Sequence, residues 1–438
     1  MIRFIAALAA SLTAFAAAAQ TEIDIQEITS PGGIDAWLVE ENSIPFTAIE
    51  LVFDGGATLD LPGKRGATNL MMGLIEEGAG DLDARAFQAR REALAASYEF
   101  DTFDDSVTVS AVFLTENRDE AIALLREALI NPRFDQDAVD RVRGQVLAGL
   151  RSDANNPDRI ASAAFDAAAF GNHPYATAIN GTEATVAALT RDDIITAHRN
   201  ALTTGRVHVG AAGDISADEL GVLIDTLIGD LPADGPPLPD RVEFGLDGGI
   251  TVVPYATPQS VALFGHEGIE RDDDDFFAAF ILNEILGGRG VESRLYREVR
   301  EKRGLTYGVS TFLVPKDFTE IYLGSVASAN DRIAEAIDVI RDEWALMASE
   351  GITQEELDAA KTYLTGAYPL RFDGNAAIAG ILVGMQSVDL TPAYVANRND
   401  FIEAVTLDDV NRVAAELLDP DGLHFVVVGE PEGLQAAE

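Results

Sequence analysis

The chain has 438 residues, 47% of them hydrophobic, with 73 acidic against 31 basic side chains and no cysteine. A formal net charge of −42 argues against nucleic acid or an anionic membrane surface as a partner, since both are bound through matched positive charge. Without cysteine no disulfide can brace the fold, so stability must come from a large core, and the length provides for two domains or more.

Residues 1–19, MIRFIAALAASLTAFAAAA, place one basic residue, Arg3, before an apolar run that ends in Ala17-Ala18-Ala19. The pattern predicts a secretory signal peptide, too short and too weakly flanked to be a membrane span. Cleavage near Gln20 would leave 438 − 19 = 419 residues and move the formal charge from −42 to −43. No later stretch has the roughly 18 unbroken apolar residues that a bilayer span requires. We therefore expect no membrane insertion after cleavage, and a soluble periplasmic or secreted protein.

Apolar alternation predicts strands at 35–40 and 46–53, leading through Gly55-Gly56 to a helix over 66–77. A helix over 84–96, a strand pair within 98–114, and helices over 117–129 and 135–152 follow. Thr190-Arg191-Asp192-Asp193 opens another helix, which leads to a strand at 207–210 and a turn at Gly213-Asp214. At 230–240 the sequence DLPADGPPLPD carries Pro232, Pro236, Pro237 and Pro239, which rule out helix and favour an extended spacer.

Beyond the spacer the order repeats. Strands are predicted at 249–254 and 260–266, helices at 274–286 and 292–303, strands at 306–313 and 319–326, and helices at 331–349 and 353–368. Thr406-Leu407-Asp408-Asp409 then opens a helix that leads to His424-Phe425-Val426-Val427-Val428 and Gly429. The offsets agree: 406 − 190, 424 − 208 and 429 − 213 all equal 216, which points to duplication. The predicted class is α+β, with two homologous domains at 20–231 and 246–438 joined by a linker at 232–245. Each would be a mainly antiparallel sheet with helices on one face.

Within the second domain, GGRGVESRLYREVREKRGLTY at 287–307 gathers Arg289, Arg294, Arg297, Arg300, Lys302 and Arg303 against Glu292, Glu298 and Glu301. Basic residues in a last helical turn complement the helix dipole, so capping alone accounts for some of this charge. Arg300 and Tyr307 are different, because one stands at the helix end and the other beyond Gly304, so the two can converge on one point. A guanidinium offers a fork of donors to a carbonyl or carboxylate, and a phenol offers a donor to a developing oxyanion. Gly287, Gly288 and Gly290 fit either a substrate-gating loop or a plain turn between helices.

The segment SRLYREVREKRGLTYGV, Ser293 to Val309, resembles the C-terminal-half segment of the M16 (pitrilysin or insulinase-like) zinc metallopeptidases, and the resemblance covers nearly all of the mature sequence. It implies that Arg300 and Tyr307 are the family's Arg/Tyr pair, and that two such two-domain halves close as a clamshell around an unfolded peptide. It also implies H-x-x-E-H on the first helix of an active member, with two histidines holding zinc, the Glu as general base, and a later Glu as third ligand. Here those five positions read Asn69-Leu70-Met71-Met72-Gly73, and the third-ligand position reads Gly149. Met71 and Met72 would then close over the pocket or line a peptide surface.

The conclusion does not hang on the alignment. The first histidine is His173, the closest two are His198 and His208, ten apart, and no Glu lies between Glu127 and Glu183. His173 reads as structural, His208 and His424 as core histidines on buried strands, and the His266-Glu267 pair points to opposite faces of a strand. The expectation is a non-catalytic subunit of a heterodimeric periplasmic zinc peptidase, with no metal or cofactor in this chain and zinc in an H-x-x-E-H partner. Arg300 and Tyr307 would act on an extended oligopeptide. The alternatives are an inactive peptide-binding or structural scaffold of the same fold, and a zinc peptidase with a non-standard site.

Overall fold

The computed structural model describes residues 23–288 and 291–434, so the predicted signal peptide, Arg289 and Gly290 lie outside the described residues. The strands of the first half are β1 (Gln26–Thr29), β2 (Asp35–Glu40), β3 (Phe46–Asp54), the short hairpin β4 (Gly78–Ala79) and β5 (Leu82–Asp83), β6 (Ser97–Thr102), β7 (Ser106–Leu114) and β8 (Val207–Gly213). Those of the second are β9 (Ile250–Pro254), β10 (Gln259–Glu267), β11 (Thr306–Lys316), β12 (Thr319–Ala329) and β13 (His424–Gly429). No described helix is long and apolar enough to cross a membrane.

The two sheets repeat one topology. The first runs β1-β2-β8-β3-β7-β6 and the second β9-β13-β10-β12-β11 when read from its parallel end. In both, one pair is parallel, β2 with β8 and β9 with β13, and the other pairs are antiparallel. The 216-residue landmarks recur in detail. Thr190 and Thr406 each cap a helix in a reciprocal box, with Asp193 and Asp409 as the returning acids. Gly213 and Gly429 end equivalent strands at φ +133° and +155°. A Cβ on Gly213 would stand 2.8 Å from the Thr47 Cα, and one on Gly429 would stand 2.9 Å from the Ser260 Cα.

Helices cover both faces of each sheet, not one. On its first face the N-terminal sheet packs Ala67–Met72, Arg118–Ile130, Arg191–Ala201 and Ala217–Ile228 around one core. Its second face is covered by Asn375–Gln386, which belongs to the other half and lies across β8, β3 and β2. Reciprocally, Pro157–Phe170 of the first half covers β10 and β13 of the second. Two glycines permit these crossings. A Cβ on Gly210 would stand 2.6 Å from the Ala379 carbonyl oxygen, and one on Gly265 would stand 3.3 Å from the Phe165 ring.

The exchange explains the strand composition. His424–Gly429 is HFVVVG with every residue buried, a continuous apolar run that suits a strand covered on both faces. The chain also marked the donated helices. Asn156 caps Pro157–Phe170 with proline at the first turn, and Ala161, Phe165 and Ala169 recur at one-turn spacing on its buried face. Between the halves, 230–249 forms no helix or strand. It is held by backbone bonds from Thr204 N to Pro232 O (2.9 Å), Val242 N to Phe318 O (2.8 Å) and Gly245 N to Ala169 O (2.9 Å).

Candidate functional site

The first helix is shorter than the predicted 66–77, running only Ala67–Met72 before a series of turns. Gly66 enters it at φ +96°, and Asp60 accepts the amides of Gly66 (2.7 Å) and Thr68 (2.8 Å), supplying orphan donors of the first turn. Met71 is fully buried and Met72 2% exposed, both within the N-terminal core. They neither roof a pocket nor line a peptide surface; they pack the core. Asn69 is half-buried and Gly73 exposed. A Gly73 Cβ would meet Val142 of the Gln136–Asp153 helix at 3.4 Å, so an aliphatic side chain faces it from the helix expected to carry the third ligand. Gly149 stands on the exposed side of that helix with open space around it.

Asparagine, methionine and glycine present neither imidazole nor carboxylate, so these positions do not fit a zinc ion. No cluster of three or more His, Cys, Asp or Glu among the described residues is placed to hold a metal. The histidines are engaged elsewhere. His173 Nδ1 accepts the Tyr175 amide at 3.3 Å, and His198 Nε2 lies 2.8 Å from the Leu129 carbonyl. His266 Nε2 accepts Trp344 Nε1–H at 3.0 Å while its Nδ1 meets the Glu267 carbonyl; burial pushes its pKa down and favours the neutral ring this pattern needs. His424 is buried between Thr251 and the Gly248 carbonyl. His208, expected in a core, is half-exposed and paired with Asp54 at 3.1 Å.

The basic segment of the second half is built differently. The predicted helix over 292–303 is a π-helix at Tyr296–Glu301, its wider turn closed by Lys302 N to Arg297 O at 2.9 Å. Gly304, at φ +60°, ends it. Arg332 from a neighbouring helix entrance donates to the last carbonyls, those of Gly304 (3.0 Å) and Arg303 (2.9 Å). Arg294 makes a two-pronged bond to Glu356, 2.7 Å at each prong, and a third to the Gly351 carbonyl at 3.0 Å. Burial raises the Glu356 pKa, but Arg294 and Thr353 outweigh it and hold it at about 2. Lys302 and Arg303 both pair with Glu298.

Gly287 and Gly288 are buried, and close packing accounts for both. A Cβ on Gly287 would stand 2.5 Å from Thr311 Oγ1, and one on Gly288 would stand 2.7 Å from the Glu284 Cα. The Gly287 carbonyl accepts the Thr311 amide at 2.8 Å, tying this turn to β11.

Arg300 is the member of the basic group whose guanidinium pairs with no carboxylate among the described residues. Its Nη1 donates to the Thr306 carbonyl at 3.1 Å, and its Cζ lies 5.1 Å from the centroid of the Tyr307 ring, a cation–π stack. Thr306 faces Ser328 and Val309 faces Val326, so Tyr307 and Gly308 together stand opposite the single Ala327, which is a β-bulge. The Thr306 hydroxyl fixes it, accepting the Gly308 amide at 3.0 Å and lying 2.6 Å from the Ala327 carbonyl oxygen. β11 is the edge of its sheet, and the bulge turns the Tyr307 ring out of it, leaving the residue 80% exposed. The structure thus brings Arg300 and Tyr307 together as the sequence suggested.

Comparison with known proteins fits this geometry. The family model described as insulinase (peptidase family M16) matches residues 37–183, and that described as peptidase M16 inactive domain matches 188–364. The chain is 29% identical over 339 residues to the non-peptidase homolog YmxG of Helicobacter pylori, spanning 76% of this chain and 78% of that protein. It is 25% identical over 409 residues to an uncharacterized zinc protease of Streptomyces coelicolor, spanning 90% of this chain and 87% of the relative. The crystal structure of a peptidase M16 inactive domain from Pseudomonas fluorescens superposes with a TM-score of 0.87 at 27% identity, over 95% of this chain and all of that one. With both family models matched in order, the sheet topology duplicated and no H-x-x-E-H in the sequence, the chain belongs to peptidase family M16 as an inactive homologue.

Proposed function

We propose that this chain is the non-catalytic subunit of a heterodimeric periplasmic M16 peptidase, and that it contributes Arg300 and Tyr307 to a peptide bound at the junction with a partner. The partner would be a second M16 chain that carries H-x-x-E-H and zinc, which supply the activated water. The observation that carries the reading is the Arg300–Tyr307 stack itself. Packing does not explain a tyrosine 80% exposed on a bulged edge strand, whereas presentation to a ligand does.

The chemistry of this chain's own groups follows from that geometry. The Tyr307 hydroxyl is a donor for the oxygen of a polarised peptide carbonyl, where negative charge grows as the carbon becomes tetrahedral. The Arg300 guanidinium, under the ring and bonded to the Thr306 carbonyl, fixes the ring's direction and adds positive charge beneath it. An extended peptide would be held through backbone pairing at a sheet edge.

The test is to purify the chain, add an M16 subunit bearing H-x-x-E-H, and follow cleavage of an unfolded peptide. We expect no cleavage by this chain alone and cleavage in the mixture. If cleavage by the partner is the same with and without this chain, the subunit reading is wrong and the scaffold reading stands.

A further inference from the structure

Tyr307 leaves its sheet at a point where the residue before it is buried and bonded on every side. Thr306 is 5% exposed. Its hydroxyl accepts the Gly308 amide at 3.0 Å and has one proton to give, with the Ala327 carbonyl at 2.6 Å and the Gly308 carbonyl at 2.7 Å as acceptors. One hydroxyl therefore grips both sides of the bulge, the strand that carries the extra residue and β12 opposite. The Thr306 carbonyl meanwhile accepts Arg300 Nη1 at 3.1 Å. Thr306 thus fastens Arg300 with its backbone and the Tyr307 bulge with its side chain.

Neither the hairpin plan nor the glycine accounts for this bulge. By topology β6–β7 of the first half corresponds to β11–β12 of the second. The first pair keeps one register from Ser97 opposite Val112 to Thr102 opposite Val107, whereas the second shifts between Thr306 and Val309. Gly308 is not left-handed, and a Cβ on it would stand in open space, so the backbone there does not require glycine. Beyond the bulge, buried Val309 and Thr311 fix the register, because a one-residue slip would turn both outward. Before it the strand is a single residue long. β11 begins at Thr306, so the Thr306–Ser328 pair is the whole ladder on that side, and the Ser328 hydroxyl reaches back to the Leu305 carbonyl, not forward to the bulge.

We propose that Thr306 is the positioning residue of this site: its hydroxyl holds the bulge that aims the Tyr307 phenol, and its carbonyl sets Arg300 against the Tyr307 ring. This role rests on the function proposed above, in which Tyr307 donates to the oxyanion. Thr306 itself touches no substrate and moves no proton. Valine in its place keeps the shape and the carbonyl bonded to Arg300 but loses the hydroxyl, whereas serine keeps the hydroxyl. A donor misplaced by about 1 Å can cost about 10²-fold in rate, so the loss of one buried hydroxyl here should be read in kcat.

The experiment follows cleavage of an unfolded peptide by an added H-x-x-E-H subunit with the full chain as wild type, Thr306→Val, Thr306→Ser, Tyr307→Phe and the Thr306→Val/Tyr307→Phe double variant, together with hydrogen exchange at the Gly308 amide. Thr306→Val should lower kcat by roughly 10-fold to 10²-fold with KM little changed, and should speed exchange at Gly308. Thr306→Ser should restore both. In the Tyr307→Phe background Thr306→Val should cost no further rate, because the hydroxyl it aims is already gone. Thr311→Val controls for lost stability: it is the same change at a fully buried threonine of the same strand, whose hydroxyl donates to Asn283 Oδ1 at 2.8 Å, and kcat should not move. A further full loss in the double variant, an equal loss in Thr311→Val, or a wild-type rate in Thr306→Val beside a slow Tyr307→Phe overturns the positioning role alone. A wild-type rate in Tyr307→Phe, or no cleavage by any mixture, overturns the proposed function and the positioning role with it.

Discussion

The Ala67–Met72 helix of the first half and the Tyr296–Glu301 turn of the second stand where the family's two contributions to its site are expected, and they have diverged in opposite ways. At the first, Met71 and Met72 are sealed in the core. At the second, Tyr307 is thrust 80% into solvent and Arg300 pairs with no carboxylate among the described residues. At the general-base position hydrophobic packing prevails, since Met72 fills the core, whereas the two ligand positions are a half-buried Asn69 and an exposed Gly73 that offer no imidazole. Where the donors are present, the local backbone is irregular, with a π turn on one side and a β-bulge on the other.

Substitutions can break or sharpen that contrast. Met71→Ala should show the largest effect, a loss of about 3 kcal/mol in urea unfolding, as expected for emptying a filled core site. A loss within experimental error would mean that the position is not core. Next comes Glu356→Gln, which removes the carboxylate under Arg294. Because the Glu356 pKa is depressed from 4.5 to about 2, its stabilisation is present above 4.5 and is lost as pH falls through 2. Wild type should therefore exceed the variant in stability at neutral pH, and the two should converge towards pH 2.

Smaller still is Arg332→Ala, which frees the Gly304 and Arg303 carbonyls at the end of the π turn. A loss of about 1 kcal/mol is expected, since those carbonyls can turn to water. Smallest is Tyr307→Phe, which should leave unfolding unchanged to within about 0.5 kcal/mol, since an exposed hydroxyl holds nothing in the fold. A large destabilisation there would make Tyr307 a structural residue.

Much of this was legible in the sequence because it follows local rules. The 216-residue offset between Thr190 and Thr406 survives as paired capping boxes, and the alternation around 46–53 and 260–266 survives as central strands. Arg300 and Tyr307 were found through a contiguous segment whose spacing a single turn determines. What was missed depends on distant contacts. Apolar periodicity marks Asn375–Gln386 as a helix, but nothing in its own residues says that it lies on β8 of the other half. The π turn likewise sits among distant contacts, Arg332 on the Gly304 carbonyl after it and Glu356 on Arg294 before it, in a segment whose local signals read as ordinary helix. The burial of Met71 and Met72 depends on a core assembled from the whole first half.

The measurement closest to the central claim compares wild type with Tyr307→Phe in cleavage of an unfolded peptide by an added H-x-x-E-H subunit, with subunit association measured alongside. Loss of one oxyanion donor predicts a fall in kcat of roughly 10²-fold or more with association unchanged. Equal rates for the two proteins in a complex that does cleave would contradict the account.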